Sequence, residues 1–434
     1  MNKILLLFLF YLFLTSCSLD KSSGLWTNND KIEIEKDLIV EELFKKDQEL
    51  NKELNLNVRI RLDSKLSKKS FTNNLTNNNG RVNYEGSLKT TSRYKFSKID
   101  NFKRFEPEII FDKKNIIFFD NKGSILKFDE FSKMVWKNNY YTKSEKKLKP
   151  ILNMTTYKNY LIVADNLAKY YVIDIKNGNL LWMKSNIAPF NSQIKAYKNK
   201  FFVTDLENVL RCYSIVDGEE LWSIKTDRSF IKSQKKLSVI ISDEKVYFNN
   251  SLGDISAVDI NTGKLIWQTP TQSSSVYESS FKLKTSDLIT TNKSIFFSNY
   301  NIEFYSLDIK TGSVIWKQKI NSSIRSSIVN DLIFIVTQEG FLVVMESESG
   351  NIIRITNIFD KFKEKKRPNI RPVGFIIGIK NIYLTTNNGR LLIIDILTGK
   401  SNLILKIDNE MISRPFILEK NLFIIKDNAI IKLD

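Results

Sequence analysis

The stretch "SAVDINTGKLIW", residues 256–267, has the pattern of an apolar strand, a tight turn and a second strand. Asp259 stands four residues before Gly263, and Gly263 stands four residues before Trp267. An aspartate at a strand end accepts hydrogen bonds from the N–H groups of the turn that follows, and glycine adopts the left-handed conformation that closes such a turn. The stretch therefore predicts a β-hairpin whose second strand presents Trp267.

The same spacing recurs along the chain. Complete copies are Asp174, Gly178 and Trp182; Ser214, Gly218 and Trp222; and Asp308, Gly312 and Trp316. Degenerate copies are Glu346 and Gly350 with Arg354 in place of tryptophan, and Asp395 and Gly399 with Leu403 there. Only 15 of the 434 residues are glycine, yet one stands four positions before four of the six tryptophans, so the period is not accidental.

Units of about 40–50 residues with short strands and turns are typical of four-stranded propeller blades. The residues before the successive turns number eight: Asp129, Asp174, Ser214, Asp259, Asp308, Glu346, Asp395 and Asp434. The eighth unit ends where its outermost strand should begin, and "TTSRYKFSKI" at residues 90–99 has the alternation to supply that strand. We therefore predict an all-β, eight-bladed β-propeller over residues 87–434, closed by an N-terminal strand.

The repeated tryptophans have two interpretations. They are seam residues that pack neighbouring blades together, or they are platforms on which a ligand stacks. One tryptophan per repeat at a fixed offset is what the packing of repeated units requires. We therefore interpret the aspartate, glycine and tryptophan that recur at this spacing within the chain as structural residues and not as parts of a catalytic site.

The N-terminus has the features of a lipoprotein signal. "MNKILLLFLFYLFLTSCS" contains one lysine and an apolar run over residues 4–14, about half of the ~20 residues that span a bilayer. The small residues before Cys17 resemble a bacterial lipobox, which implies a signal peptide at residues 1–16 and fatty acids, such as palmitate, on Cys17. In such lipoproteins an aspartate directly after the cysteine signals retention in the inner membrane, and this sequence has Ser18 there. The alternative is an ordinary secretory signal in which Cys17 is incidental.

Residues 17–86 are predicted to be a lipid-anchored, charged tether. A short helix is expected near residues 30–53, and the alternation of apolar and polar residues over 54–62 predicts a strand that docks on a sheet edge or on a partner.

Composition excludes several functions. The net charge of +18 would suit a nucleic acid or an anionic membrane as partner. The lysines are scattered and not gathered into one stripe, however, so the sequence favours a solvated basic surface over either partner. The chain contains no histidine, the usual acid/base group and metal ligand near neutral pH. Cys212 would be the one thiol left after acylation of Cys17, and its strand position favours a buried, structural role. We predict no catalytic, metal or cofactor site.

The segments "VDINTGKLIW" and "LDIKTGSVIW" resemble the repeat of pyrroloquinoline-quinone-type propellers over residues 90–434. With the lipobox, the eight units, the closing strand and the ending "DNAIIKLD", the chain resembles the BamB family. These are lipoprotein subunits of the machinery that assembles outer-membrane β-barrels. The resemblance implies a non-enzymatic scaffold on the periplasmic face of the outer membrane that binds the periplasmic domains of BamA and other machinery subunits, with unfolded outer-membrane proteins as further ligands.

The loops after Trp182 (residues 183–193) and Trp222 (residues 223–236) are where such contacts would be sought, although neither carries a distinctive motif. Two other functions stay open. One is a different binding or sensor propeller of the cell envelope. The other is a quinoprotein dehydrogenase. Enzymes of that class need a calcium site and an aspartate base, and commonly have an adjacent cysteine pair. This sequence has no adjacent cysteine pair.

Overall fold

The computed structural model describes residues 52–434 apart from 64–65, 68–70, 73–75, 101, 103–104, 106, 228–234, 272–284 and 300–302. These residues belong to one compact unit, Leu50–Asp434. The signal peptide, Cys17 and residues 30–51 of the expected helix lie outside the described residues. Within the described ranges, no helix is long and apolar enough to cross a membrane.

Eight antiparallel sheets of four strands each confirm the predicted eight-bladed propeller. We number the blades in chain order. Blades 1 to 4 contain β2 Ile110–Asp112, β3 Asn115–Phe119, β4 Ile125–Phe128 and β5 Met134–Asn138; β6 Leu152–Tyr157, β7 Tyr160–Asp165, β8 Lys169–Asp174 and β9 Leu180–Ser185; β10 Lys195–Tyr197, β11 Lys200–Thr204, β12 Val209–Ser214 and β13 Glu220–Lys225; and β14 Val239–Ser242, β15 Lys245–Asn249, β16 Ile255–Asp259 and β17 Leu265–Thr269.

Blades 5 to 8 follow the same order. They contain β18 Ile289–Thr290, β19 Ser294–Ser298, β20 Glu303–Asp308 and β21 Val314–Lys319; β22 Ser327–Val329, β23 Leu332–Val336, β24 Phe341–Glu346 and β25 Ile352–Asn357; β26 Pro372–Ile377, β27 Asn381–Thr386, β28 Arg390–Asp395 and β29 Ser401–Lys406; and β30 Phe416–Leu418, β31 Asn421–Lys426, β32 Ala429–Leu433 and β1 Thr90–Lys95. The helices described are α1 Lys143–Lys147 and a 3₁₀ helix Glu364–Asn369.

The hydrophobic core lies in the seams between blades. The second and third strands of each blade are buried on both faces, because each sheet packs between two neighbours. One seam cluster joins Phe202 and Cys212 of blade 3 to Val246 and Val258 of blade 4. The outermost strands are only half-buried, since no further strand covers them.

The N-terminal strand closes the ring as predicted. β1 pairs antiparallel with β32, so that Tyr94 lies opposite Ile430. Tyr94 is buried, with its ring centroid 5.7 Å from that of Phe128 in blade 1 and 6.2 Å from that of Phe423 in blade 8. One residue thus ties the first blade to the last, and the last blade is not left one strand short.

The repeated turn joins each blade to the one before it. The Asp259 carboxylate accepts hydrogen bonds from the N–H groups of Asn261 and Thr262 at 3.0 and 2.8 Å. Gly263 has φ +69°, and a Cβ there would lie 2.5 Å from the indole of Trp222 in the preceding blade. Trp222 in turn donates its N–H to the carbonyl oxygen of Ile260 at 3.3 Å. Glycine is therefore required both by the turn and by the close approach of the indole.

The regular strand predicted over residues 54–62 is wrong in extent. Leu54 alone forms an antiparallel bridge, with Ile355 on the outer edge of blade 6. The chain then turns, because Asn55 has φ 51° and its carbonyl oxygen accepts a hydrogen bond from Val58 N–H. The alternation predicted that the apolar side chains would share one buried face. Leu56 and Val58 are instead 42% and 40% exposed, so the alternation does not correspond to a strand here.

Residues 71–72 and 76–84 lie across one end of the central channel. Their hydrogen bonds reach the ends of the innermost strands of several blades: Thr72 N–H to Ile417 O, Asn77 Nδ2 to Ile241 O, Asn78 Nδ2 to Ile328 O, and Val82 N–H to Ile377 O. We call this end, which also carries the repeated turns, the turn face. The opposite end, which carries the connections between blades, is the loop face.

Candidate functional site

The connection from blade 2 to blade 3, residues 186–194, is a rigid loop on the loop face. Phe190 N–H donates to Asp165 O at 3.0 Å, and the Pro189 carbonyl oxygen accepts from Leu206 N–H at 2.8 Å. Ala188 and Phe190 are buried, and Phe190 belongs to the core cluster between the two blades. The backbone of this loop is therefore fixed by packing on both sides of its tip.

Ile187 projects from that tip and is 96% exposed. Burying an isoleucine is favourable by about 1.5–3 kcal/mol, so this side chain forgoes a gain that its neighbours Ala188 and Phe190 obtain. An apolar side chain presented by a fixed backbone loses little entropy when a partner covers it. A second apolar side chain, Leu148, is 63% exposed in the connection from blade 1 to blade 2 on the same face.

A buried carboxylate holds the loop from below. Asp205 is fully buried and accepts hydrogen bonds from Arg211 Nε at 2.9 Å and from Asn186 Nδ2 at 3.3 Å. Asn208 continues the network to the next blade, because its side-chain amide donates to Ser251 Oγ at 2.7 Å. Hydrogen bonds from blades 3 and 4 thus support the loop that carries Ile187. Residues 183–193 were considered as a contact region from the sequence, although no sequence pattern singles out Ile187 among them.

The second loop considered from the sequence, residues 223–236, has a different position. Residues 228–234 lie outside the described ranges. The end of the loop turns into the central channel, where Lys235 Nζ donates to Ser323 O at 2.8 Å and Lys236 Nζ lies 3.1 Å from Glu108 Oε1. Its described end therefore contributes to the channel, whereas residues 186–194 contribute to the outer surface.

The described part of the channel is crossed by ion pairs. Arg414 of blade 8 lies 3.4 Å from the Asp287 carboxylate of blade 5, and Lys236 before blade 4 pairs with Glu108 before blade 1. Burial alone would raise the pKa of Asp287, but Arg414, Lys235 and Arg325 overcome it and hold that pKa below its usual value. The cavity between these residues is about 20 Å³, enough for one water molecule.

A shallower groove of about 280 Å³ lies on the turn face beside Asn77. Its Glu244 accepts hydrogen bonds from Lys198 Nζ at 2.8 Å and from the Tyr197 hydroxyl at 2.6 Å. These bonds lower the pKa of Glu244, Lys198 contributing most, which makes the carboxylate a weaker base. Glu244 is therefore not an activated base.

The remaining chemical groups fit a structural role. Burial raises the pKa of the Cys212 thiol to about 12, so it is neutral and shielded at physiological pH. Among the residues that the structure describes, no three His, Cys, Asp or Glu side chains are placed to hold a metal ion.

The repeat residues singled out from the sequence are distributed around the ring, one set per blade. Each glycine lies against the residue at the tryptophan position of the preceding blade: Gly178 against Trp136, Gly218 against Trp182, Gly263 against Trp222, Gly312 against Trp267, Gly350 against Trp316, and Gly399 against Arg354. They form inter-blade contacts and do not converge on one place.

Comparison with known proteins gives one family and one fold. The family described as "Outer membrane protein assembly factor BamB" matches residues 121–356, more than half of the chain. Similar solved structures include BamB from Moraxella catarrhalis (12% identity, TM-score 0.64, covering 80% of this chain and 99% of that one) and the quinohemoprotein alcohol dehydrogenase from Comamonas testosteroni (10%, 0.62, 81% and 78%).

A computationally designed protein, Ika8, is similar to the same extent (11% identity, TM-score 0.59, 78% of this chain and 99% of that one). No curated protein matches the chain in sequence. Identities this low show the fold alone, because propellers of one architecture carry unrelated functions.

Proposed function

The chain belongs to the family of the outer membrane protein assembly factor BamB, and on that premise we propose that it is a non-enzymatic scaffold subunit of the machinery that assembles β-barrel proteins in the outer membrane. Its partner is the periplasmic part of BamA, and its contact surface is the loop face around Ile187. The observation that carries the proposal is the fixed loop 186–194, which presents Ile187 to solvent at 96% exposure.

A role as a quinoprotein dehydrogenase fits the chain poorly, although such enzymes share the fold. Small-molecule and cofactor sites occupy about 300–1,000 Å³. The cavity beside the Asp287–Arg414 pair in the described channel is about 20 Å³. That cavity is too small for a bound quinone, which favours a scaffold over an oxidoreductase.

Capture of BamA tests the proposal. We expect the tagged full-length protein to recover BamA from detergent-solubilised native membranes. Ile187→Asp should weaken that binding at least about 30-fold, the loss typical of an interface hot spot, because an aspartate cannot be buried in an apolar pocket. The matched control is Val216→Asp, which changes an apolar residue 68% exposed on the turn face and should leave capture unchanged.

Two results would contradict the proposal. Equal recovery of BamA by the Ile187 and Val216 variants would remove the loop-face site. Recovery of a soluble redox protein in place of BamA would favour the dehydrogenase function.

Unfolded outer-membrane proteins are the second ligand class of the proposed scaffold. The outermost strands β9, β17 and β21 are sheet edges, and each exposes apolar side chains: Leu181 at 49%, Ile266 at 43% and Ile315 at 47%. Such edges accept an added strand through main-chain hydrogen bonds.

We further propose that residues 1–16 are removed and that Cys17 carries the lipid that anchors the protein to the periplasmic face of the outer membrane. Cells grown with a palmitate analogue should label the protein, and Cys17→Ala should abolish the label, because the acceptor thiol is lost. Cys212→Ala is the matched control and should leave the label unchanged, since Cys212 is buried. Persistence of the label in the Cys17 variant would contradict the lipid anchor.

A further inference from the structure

The connection from blade 6 to blade 7 carries a dense group of positive charges. Residues 360–371, which we call the basic loop, contain six Lys or Arg and two Asp or Glu residues. Ile358, Phe359 and Ile370 anchor the two ends of the loop in the core between the blades. The basic loop is therefore a fixed element of the loop face, built around the 3₁₀ helix Glu364–Asn369.

Hydrogen bonds within the loop separate its charges into two groups. Arg367 is used internally, because its guanidinium donates to Phe362 O at 2.9 Å and to Asp360 O at 2.6 Å. Lys363, Lys365 and Lys366 are exposed, and none of the three makes an ion pair with the described part of the chain. Three ammonium groups are thus presented to solvent, one from the N-cap Lys363 and two from the 3₁₀ helix that follows it.

The N-terminal segment joins the propeller beside this loop. The Glu53 carboxylate accepts a hydrogen bond from Asn357 N–H at 3.0 Å, and Asn357 is the last residue of β25, directly before the loop. Leu54 pairs with Ile355, which lies two residues before Asn357 on the same strand. Glu53 and Leu54 therefore lie at the rim of blade 6, on the loop face.

The turn face carries charges of both signs. Carboxylates open six of its seven repeated turns, at Asp129, Asp174, Asp259, Asp308, Glu346 and Asp395. Exposed lysines, such as Lys113, Lys293 and Lys420, lie on the same face. An anionic surface would therefore be attracted to the basic loop, where positive charge is in excess.

We propose that the basic loop is a membrane contact, in which Lys363, Lys365 and Lys366 bind the phosphate headgroups of anionic phospholipids in the leaflet that holds the lipid anchor. The inference rests on the proposed lipid on Cys17, because that lipid would keep the protein at the bilayer surface. Each basic residue close to an anionic leaflet strengthens binding about five-fold.

The contact orients the propeller. The connection between blades 6 and 7 and the connection between blades 2 and 3 lie four blades apart, on opposite sides of the eight-bladed ring. With the basic loop on the bilayer, Ile187 is on the far side and remains accessible to a protein partner.

The test uses the full-length lipidated protein in proteoliposomes with a headgroup-linked quencher. Asn369→Cys carries a fluorophore on the basic loop, and Val216→Cys carries it on the turn face. Labelling is selective because Cys212 is buried and Cys17 is acylated. We expect quenching of the Asn369 label to be at least about five-fold stronger in vesicles with phosphatidylglycerol than in phosphatidylcholine alone. The Val216 label should show no such difference.

A charge variant isolates the three lysines. Lys363→Gln, Lys365→Gln and Lys366→Gln together should reduce the quenching to its level in phosphatidylcholine. The matched control, Lys113→Gln, Lys293→Gln and Lys420→Gln, removes the same charge from exposed positions on the turn face and should preserve the quenching.

Three outcomes would overturn the proposal: equal quenching in the two lipids, unchanged quenching in the basic-loop variant, or loss of BamA capture by that variant with quenching intact, which would make the loop a protein contact. The readouts keep this inference separate from the proposed function, because failure of BamA capture by the unmodified protein contradicts the scaffold whatever the vesicles show.

Discussion

Tyr94→Ala is expected to lower the free energy of unfolding by about 3–5 kcal/mol, the cost of truncating a large buried aromatic residue. Tyr94 is 1% exposed and packs between Phe128 of blade 1 and Phe423 of blade 8. The cavity would therefore open in the seam where the ring closes. Urea or thermal unfolding followed by circular dichroism measures the change.

Two variants of the same strand serve as controls. Tyr94→Phe keeps the ring and removes one hydrogen bond, from the hydroxyl to Glu130 O at 3.2 Å, so it should cost only about 0.5–1.5 kcal/mol. Lys95→Ala changes an exposed residue of β1 and should stay within about 0.5 kcal/mol of the unmodified protein. A Tyr94→Ala protein as stable as Lys95→Ala would mean that β1 does not close the ring in solution.

The contribution of Tyr94 to the free energy of unfolding should fall at high pH. Burial, with Asp129 and Glu130 contributing further, raises the pKa of Tyr94 to about 12 from its ordinary value of 10.0. The neutral phenol is thus favoured in the folded state. Its contribution is complete below pH 10 and is lost as the pH rises towards 12, a loss that Tyr94→Phe should not show.

Arg354→Ala is expected to lower the free energy of unfolding by about 2–4 kcal/mol, because a buried guanidinium and its hydrogen bonds are lost together. Arg354 occupies the tryptophan position of blade 6 and is fully buried. It donates to the carbonyl oxygens of Ile396 at 3.1 Å, Leu397 at 2.6 Å and Val58 at 3.0 Å. Burial lowers the pKa of Arg354 to about 10, so desolvation offsets part of this gain and keeps the expected loss moderate.

Arg354→Trp separates the two roles of this residue. An indole restores the residue that the other seams use, so the seam with Gly399 should remain stable. It cannot reach Val58 O as the guanidinium does, and the N-terminal segment should detach. We therefore expect limited proteolysis within residues 55–62 to be faster in Arg354→Trp than in the unmodified protein, with unfolding nearly unchanged. Equal cleavage rates would contradict a link between Arg354 and the segment.

The candidate site was only partly accessible from the sequence. The loop after Trp182 was considered as a contact region, but no sequence pattern singles out Ile187 within it. Its exposure follows from the burial of Ala188 and Phe190, which come directly after it in the loop, and from the support of Asn186 by Asp205, which lies in the next blade. Likewise, Lys236 and Glu108 look like two scattered charges until the ring closes and brings them within 3.1 Å.

The sequence by itself determined the eight blades, the hairpin turns and the closing strand. These features depend on residues a few positions apart, as in Asp259 and Gly263, or on a period that the chain repeats often enough to be counted. Only the tertiary structure decided the path of the described residues between 52 and 84, the ion pairs across the channel and the position of the basic loop beside Glu53. Those depend on contacts between residues as distant as Asn55 and Ile353, 298 positions apart. Such contacts arise once, so no repeated pattern records them.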